Sequence, residues 1–295
     1  MSRNFINLLT VLAVLFVITA CVCRSDRDSQ SSVSTNSTKT FKNDSSPTKA
    51  FSEDEDSIDK KKDEGDFIVE HLQVKNPHFA DIDRQIKEDK TLEKAADKLN
   101  RSLILPRDII LRTKDCGEAN SFYDANDYSV TICYELMERF YKVFRASSGS
   151  DQKAYDKMFD AVRFAFLHEL AHALIDVYKL PVTGNEEDAA DRCSVYINLT
   201  ELGDDGAHAV LAAIDVFAVE SKAKMPSEKN MADEHLLQEQ RFYNSLCLIY
   251  GSNQNKYAYL IGENYLPRAR AERCQAEYAQ TVNSWENLLS PWRKK

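Results

Sequence analysis

Glycine and proline are scarce in this chain of 295 residues, eight and seven respectively. That disfavours a sandwich or barrel of many short strands joined by tight turns and favours helices. No segment recurs at a fixed period, which excludes a solenoid or a propeller. Positive charge is also in short supply. Against 47 Asp and Glu there are 38 Lys and Arg, a net charge of −9, the wrong balance for neutralising phosphates, so no nucleic-acid partner is expected. What is present is 43% apolar residues with 10% aromatics, enough to bury a core and to rule out disorder throughout.

The apolar run nearest to a membrane span, Phe5 to Ala20, is shorter than the roughly 20 residues a spanning helix needs. It follows Arg3, the single early positive charge, and reads as the apolar stretch of an export signal. It ends Ile18-Thr19-Ala20-Cys21, which resembles a bacterial lipobox, where Cys21 would be acylated and become the first residue. Residues 1–21 are therefore expected to be a signal peptide with its lipidation site. The protein would be exported and lipid-anchored to the cell envelope, with plain secretion as the alternative. Val22 after Cys21 favours the outer membrane of a two-membrane bacterium. From Ser25 to Ser52, nine Ser and four Thr fall among 28 residues, and Glu53-Asp54-Glu55-Asp56 and Lys60-Lys61-Lys62 follow. This composition buries too little to fold, so residues 22–65 are expected to be a disordered tether and residues 66–295 a single domain.

Setting aside Cys21 and Cys23, five cysteines remain. In an oxidising compartment the nearest-neighbour bridges are Cys116–Cys133 and Cys247–Cys274, although four cysteines allow three pairings; Cys193 reads as a buried thiol. Strands are expected at 67–74, 109–113 and 128–132. Helices are expected at 79–103, 136–144, 153–179, 186–200, 207–220, 231–250 and 268–289. A small N-terminal sheet followed by a mostly helical C-terminal part is an α+β layout.

The stretch with chemistry in it is Phe166-Leu167-His168-Glu169-Leu170-Ala171-His172. Residues four apart share a helix face, so His168 and His172 can offer two imidazoles to one ion. Glu169, about 100° round the helix, can reach a metal-activated water rather than the metal. Catalytic zinc wants a third protein ligand. Asp176 rises about 6 Å beyond His172 on a straight helix, too far for a short side chain. Past the turn at Gly184, Asn185 is a good helix cap, and Glu187 and Asp191 share a face of the new helix. Glu187 is expected as the third ligand, with Asp191 accepting the other ring N–H of a ligating histidine. Asn198-Leu199-Thr200 matches a glycosylation acceptor but falls in an expected helix.

His168-Glu169-x-x-His172 followed by Glu187-x-x-Ala190-Asp191 resembles the gluzincin pattern of zinc peptidases, and Asn120-Ser121-Phe122-Tyr123 is similar to their Asn-Ala-aromatic element, with Ser in place of Ala. The fourteen residues between His172 and Glu187 are a short spacer for gluzincins. A wider set resembles a bacterial metallopeptidase family long catalogued as a domain of unknown function. Its parts include Leu105-Pro106, Asp115-Cys116-Gly117, Cys133-Tyr134-Glu135-Leu136, Asp233-Glu234-His235 and Gln240-Arg241-Phe242-Tyr243-Asn244. The resemblance implies a zincin-like fold around the active-site helix and Zn²⁺ as cofactor. Hydrolysis would use metal-activated water, with Glu169 as general base. Asn120 and Ser121 would bind the main chain of a peptide or unfolded protein. His235 could steady the oxyanion or reach the metal, the alternative being a helix N-terminal histidine with a structural partner. The competing expectation is a catalytically inactive surface lipoprotein, stabilised by zinc and working as a binding module; a metal-free scaffold with both histidines in its core is the third.

Overall fold

The computed structural model describes residues 61–223 and 234–295. The expected signal peptide, Cys21, most of the expected tether and Asp233 lie outside the described residues.

Four strands form one sheet: β1 (Phe67–His71), β2 (Ile109–Lys114), β3 (Ser121–Asp124) and β4 (Ser129–Cys133), in the order β1-β2-β4-β3. The first three in that order run parallel, and β3 lies antiparallel on the edge beside β4. β2 alternates, burying Ile109, Leu111 and Thr113, whereas every residue of β4 is buried, as a central strand covered on both faces should be. The strand β3 was not expected: four half-buried residues, Ser-Phe-Tyr-Asp, carry no alternation to read.

Helices make up most of the rest. α1 (Ala80–Glu88) and α2 (Thr91–Ser102) replace the single helix expected at 79–103. The chain breaks at Lys90, which adopts φ 52°, a left-handed conformation that ends one helix before the next begins. Next come α3 (Tyr134–Arg145), α4 (Asp151–Tyr178), α5 (Glu186–Glu201) and α6 (Gly203–Ala223). After residue 233 follow α7 (Gln238–Ser252), α8 (Tyr259–Gly262), α9 (Arg268–Ala271) and α10 (Cys274–Leu289). The helix expected at 268–289 is thus two, interrupted at Glu272-Arg273, and α7 starts at Gln238 rather than 231.

The spine is α4. Ser150 caps it by accepting from the Lys153 amide, and its 28 residues give a length of about 42 Å. From Ala161 to Tyr178 it is apolar nearly all round and mostly buried, whereas its first turns expose Asp151, Gln152, Lys153, Asp156 and Lys157. Leu167, Leu170, Ala171 and Leu174 pack under Ile109, Leu111 and Val130 of the sheet. About two to four turns earlier, Ala154, Met158 and Ala161 pack with Phe140 and Phe144 of α3 and Val216 of α6. A third cluster joins α5, α6 and α7 through Val195, Val210, Ile214, Leu246 and Ile249.

Two disulfides add cross-links, Cys116–Cys133 and Cys247–Cys274, and Cys193 is a buried free thiol. Asn198 is buried in α5, its amide donating to the Ser194 carbonyl at 3.0 Å, so it offers no site for a glycan. The last residues of the expected tether are docked on the fold. The amides of Glu64 and Gly65 donate to the Leu105 carbonyl at 2.7 and 3.0 Å, and Asp63 accepts from the Leu105 amide at 3.0 Å. Only glycine fits at 65, since a Cβ would lie 1.9 Å from the Arg107 carbonyl carbon. Among the described residues no helix is long and apolar enough to cross a membrane.

Candidate metal centre

Two elements converge to make the centre. Lys179 ends α4 in a left-handed conformation (φ 51°), and Gly184 takes φ 98°, a value that favours glycine. Between them the chain reverses, so that α5 packs against α4. Asn185 caps α5, its side-chain oxygen accepting from the Asp188 amide at 2.9 Å. The first turn of α5 thereby faces the middle of α4, where His168 and His172 stand one turn apart.

The three donors meet. His168 Nε2 lies 3.0 Å from Glu187 Oε2 and 3.3 Å from His172 Nε2, and His172 Nε2 lies 3.3 Å from Glu187 Oε1. One ligand atom from each residue falls within 4.8 Å of the others, a group able to hold a metal ion. The outer nitrogens of both rings are also engaged. His168 Nδ1 is 2.9 Å from Asp191 Oδ1, and His172 Nδ1 is 2.8 Å from Glu186 Oε1. A carboxylate there fixes the tautomer that leaves Nε2 free for a metal.

Asp191 is itself held by Arg241 of α7, with Nε to Oδ2 and Nη2 to Oδ1 both at 2.7 Å. Sequence alone assigns no role to Glu186, nor to Arg241, which it marks only as part of the wider family resemblance. Arg241 is fifty residues from its partner, so no local spacing could reveal the contact. Glu186 is one of three acids in the first turn of α5, beside Glu187 and Asp188, and nothing in composition separates it from an acid that complements the helix dipole.

The electrostatics follow from this crowding. Burial alone would push the His168 pKa down, but hydrogen bonds to Asp191 and Glu187 outweigh it and raise it to about 9. For His172 burial is likewise outweighed by Glu187 and Glu186, and its pKa is raised. Burial would raise the Glu187 carboxyl, yet the two imidazoles hold it well below the usual carboxylate range. Asp191 is held low in the same way, by Arg241 and then His168.

A cleft of about 480 Å³ opens beside the centre. His168 and Glu169 line it from α4, Asn120 and Ser121 from the start of β3, and His235 and Arg241 from the α7 side. Glu169 is buried and accepts a hydrogen bond from Ser121 Oγ at 2.8 Å. His235 is half-exposed, its Nε2 3.1 Å from Glu187 Oε2 and its ring stacked near that of His168. Phe140, Ala161, Ala165 and Phe217 supply apolar wall, and an Arg139–Glu220 ion pair of 2.7 Å joins α3 to α6 across it. Asp176 is turned to another task, accepting from Tyr123 OH at 2.7 Å and pairing with Lys179. The structure therefore brings together His168, Glu169, His172, Glu187, Asp191, Asn120, Ser121 and His235, all of them singled out in the sequence.

Residues 71–289 match a family described as "Putative metallopeptidase". No curated protein and no solved structure is significantly similar to the chain. The matched region runs from the end of β1 to the end of α10 and contains every residue of the centre; the chain belongs to this metallopeptidase family.

Proposed function

We propose that the protein is a zinc-dependent peptidase that cleaves extended, unfolded polypeptide in the cell envelope or outside the cell. The observation that carries this reading is the spacing of the three donors. Ligands about 2.0–2.1 Å from a tetrahedral ion stand about 3.3–3.4 Å apart; His168 Nε2 and His172 Nε2 are 3.3 Å apart, and each lies 3.0–3.3 Å from one of the two Glu187 oxygens. Two imidazoles and one carboxylate suit zinc, and three protein ligands leave a position for water. Bound there, the ion would supply Lewis acidity, acidifying water and polarising the scissile carbonyl.

The remaining steps fall to the chain's own groups. Glu169 projects into the cleft one residue on from a ligand and, as general base, takes the proton of the attacking water and passes it to the leaving amine. His235 is placed to donate to the oxygen that gains charge. β3 pairs with β4 on one side only, and its start at Asn120-Ser121 lines the cleft. A substrate adding there as a further strand would present its main chain to Glu169, which suits unfolded segments.

The expected signal sequence and Cys21 support export with a lipid anchor, and two disulfides favour an oxidising compartment. The test is Glu169→Gln. Zinc should stay bound at one ion per chain while cleavage of an unfolded protein falls by about two to four orders of magnitude. A variant as active as the parent would remove Glu169 from the reaction, and stoichiometric zinc with no turnover by the parent on any peptide would favour the inactive binding module.

A further inference from the structure

We infer that Ser121 is a positioning residue for the general base, its hydroxyl acting on Glu169 and only its backbone left to meet substrate; this rests on the peptidase reading above. A buried carboxylate needs a donor, and the identity of the donor decides what the carboxylate can do. Lysine or arginine would lock Glu169 into an ion pair and spoil it as a base. A neutral hydroxyl fixes the carboxylate's orientation and leaves its charge. Ser121 Oγ donates to Oε1 at 2.8 Å, so Oε2 is left for the water.

The hydroxyl is held in place by an unusually well-tied loop. Glu135, at the start of α3, accepts from the amides of Cys116 and Gly117 at 3.1 and 2.8 Å. Cys116 is bridged to Cys133, and the Cys133 amide donates to the Asn120 carbonyl at 3.1 Å. Gly117 turns the loop at φ 81°. Next along the chain, Ser121 pairs with Ile132 as the first residue of β3. The loop is thus tied to the end of β4 and the start of α3 at three points before it delivers Ser121 to Glu169. Alanine, usual in the peptidase element this segment resembles, would keep the strand and lose the donor.

The experiment uses the full zinc-loaded protein with Ser121→Ala and Ser121→Thr. For Ser121→Ala, kcat should fall about tenfold with KM and zinc content unchanged, the loss expected for one hydrogen bond to a charged group. Ser121→Thr, which keeps a hydroxyl, should recover most of it. In a Glu169→Gln background, adding Ser121→Ala should leave the Kd of a fluorescent unfolded peptide unaltered. A raised KM with intact kcat, or weakened peptide binding, would overturn the inference and make Ser121 a substrate contact. A readout independent of turnover is a melting cycle on metal-stripped protein. Ser121→Ala should shift Tm in the parent and not in Glu169→Ala, which removes the acceptor of the hydroxyl; equal shifts in both would also overturn it. If the parent shows no turnover, the peptidase reading falls and the melting cycle alone decides the role of Ser121.

Discussion

Arg241 grips both oxygens of Asp191, Nε on Oδ2 and Nη2 on Oδ1, each at 2.7 Å, while Asp191 Oδ1 also meets Nδ1 of His168 at 2.9 Å. A side chain on α7 thereby reaches a metal-ligand candidate on α4 through a single carboxylate on α5. Arg241 also lies over the Phe217 ring, 4.3 Å from its centroid, so its charge is placed by packing as well as by hydrogen bonds.

Removing one partner of such a pair leaves the other buried and uncompensated. Arg241→Met is predicted to destabilise the fold by about 3–5 kcal/mol, measured by denaturant unfolding of metal-stripped protein. Arg241→Lys should recover little, because a single ammonium cannot reproduce the two-point contact. A loss under 1 kcal/mol for Arg241→Met would show that Asp191 does not depend on it.

Asp191→Asn keeps the shape of the side chain and removes its charge. Zinc affinity is predicted to weaken about 10- to 100-fold, read by competition with a chromophoric chelator. Unchanged affinity would mean that the His168 Nδ1 contact plays no part in holding the metal.

Acidity divides the metal-stripped protein from the loaded one. His168 holds its proton more tightly when folded, its pKa raised from 6.5 to about 9. The stability this contributes is complete below pH 6.5 and lost as pH rises past about 9. Glu187 and Asp191, depressed from 4.5 and 3.8, contribute above those values and lose their contribution as pH falls beneath them. The stripped protein should therefore melt highest at about pH 5–6.5 and progressively lower towards pH 9. Zinc needs neutral imidazoles, so the Tm gained on loading should grow over the same interval. Thermal melts with and without zinc check both slopes, and a flat profile for the stripped protein would contradict the proton sharing.

The bridge Cys247–Cys274 ties α7 to α10 across a separation of 27 residues. Replacing both cysteines by alanine is predicted to cost about 3 kcal/mol, measured by denaturant unfolding, with zinc affinity unchanged because neither cysteine belongs to the donor group or lines the cleft. A fall in affinity matching the loss in stability would instead tie the C-terminal helices to the metal site.

Much of the site could be read from the chain because its geometry is local. Four residues make one helical turn, so His168 and His172 had to face together once α4 was recognised. Asn185, a capping residue followed by acids, placed Glu187 and Asp191 on one face of α5. What escaped was set by tertiary contacts. Arg241 and Asp191 meet only because α7 packs across α5, and the short β3 exists because β4 offers it an edge. Lys90 breaks a helix with no glycine or proline to mark the spot. Gly65 extends the docked chain past the expected boundary because its lack of a side chain lets it lie against Arg107, a contact that composition alone could not show.

The most direct test is anomalous diffraction at the zinc edge from crystals of the loaded protein. The account predicts one zinc per chain, with His168 Nε2, His172 Nε2 and a Glu187 oxygen each about 2.0–2.2 Å from it. Zinc bound elsewhere, or bound by the histidines with Glu187 turned to solvent and no other protein ligand in its place, would contradict it.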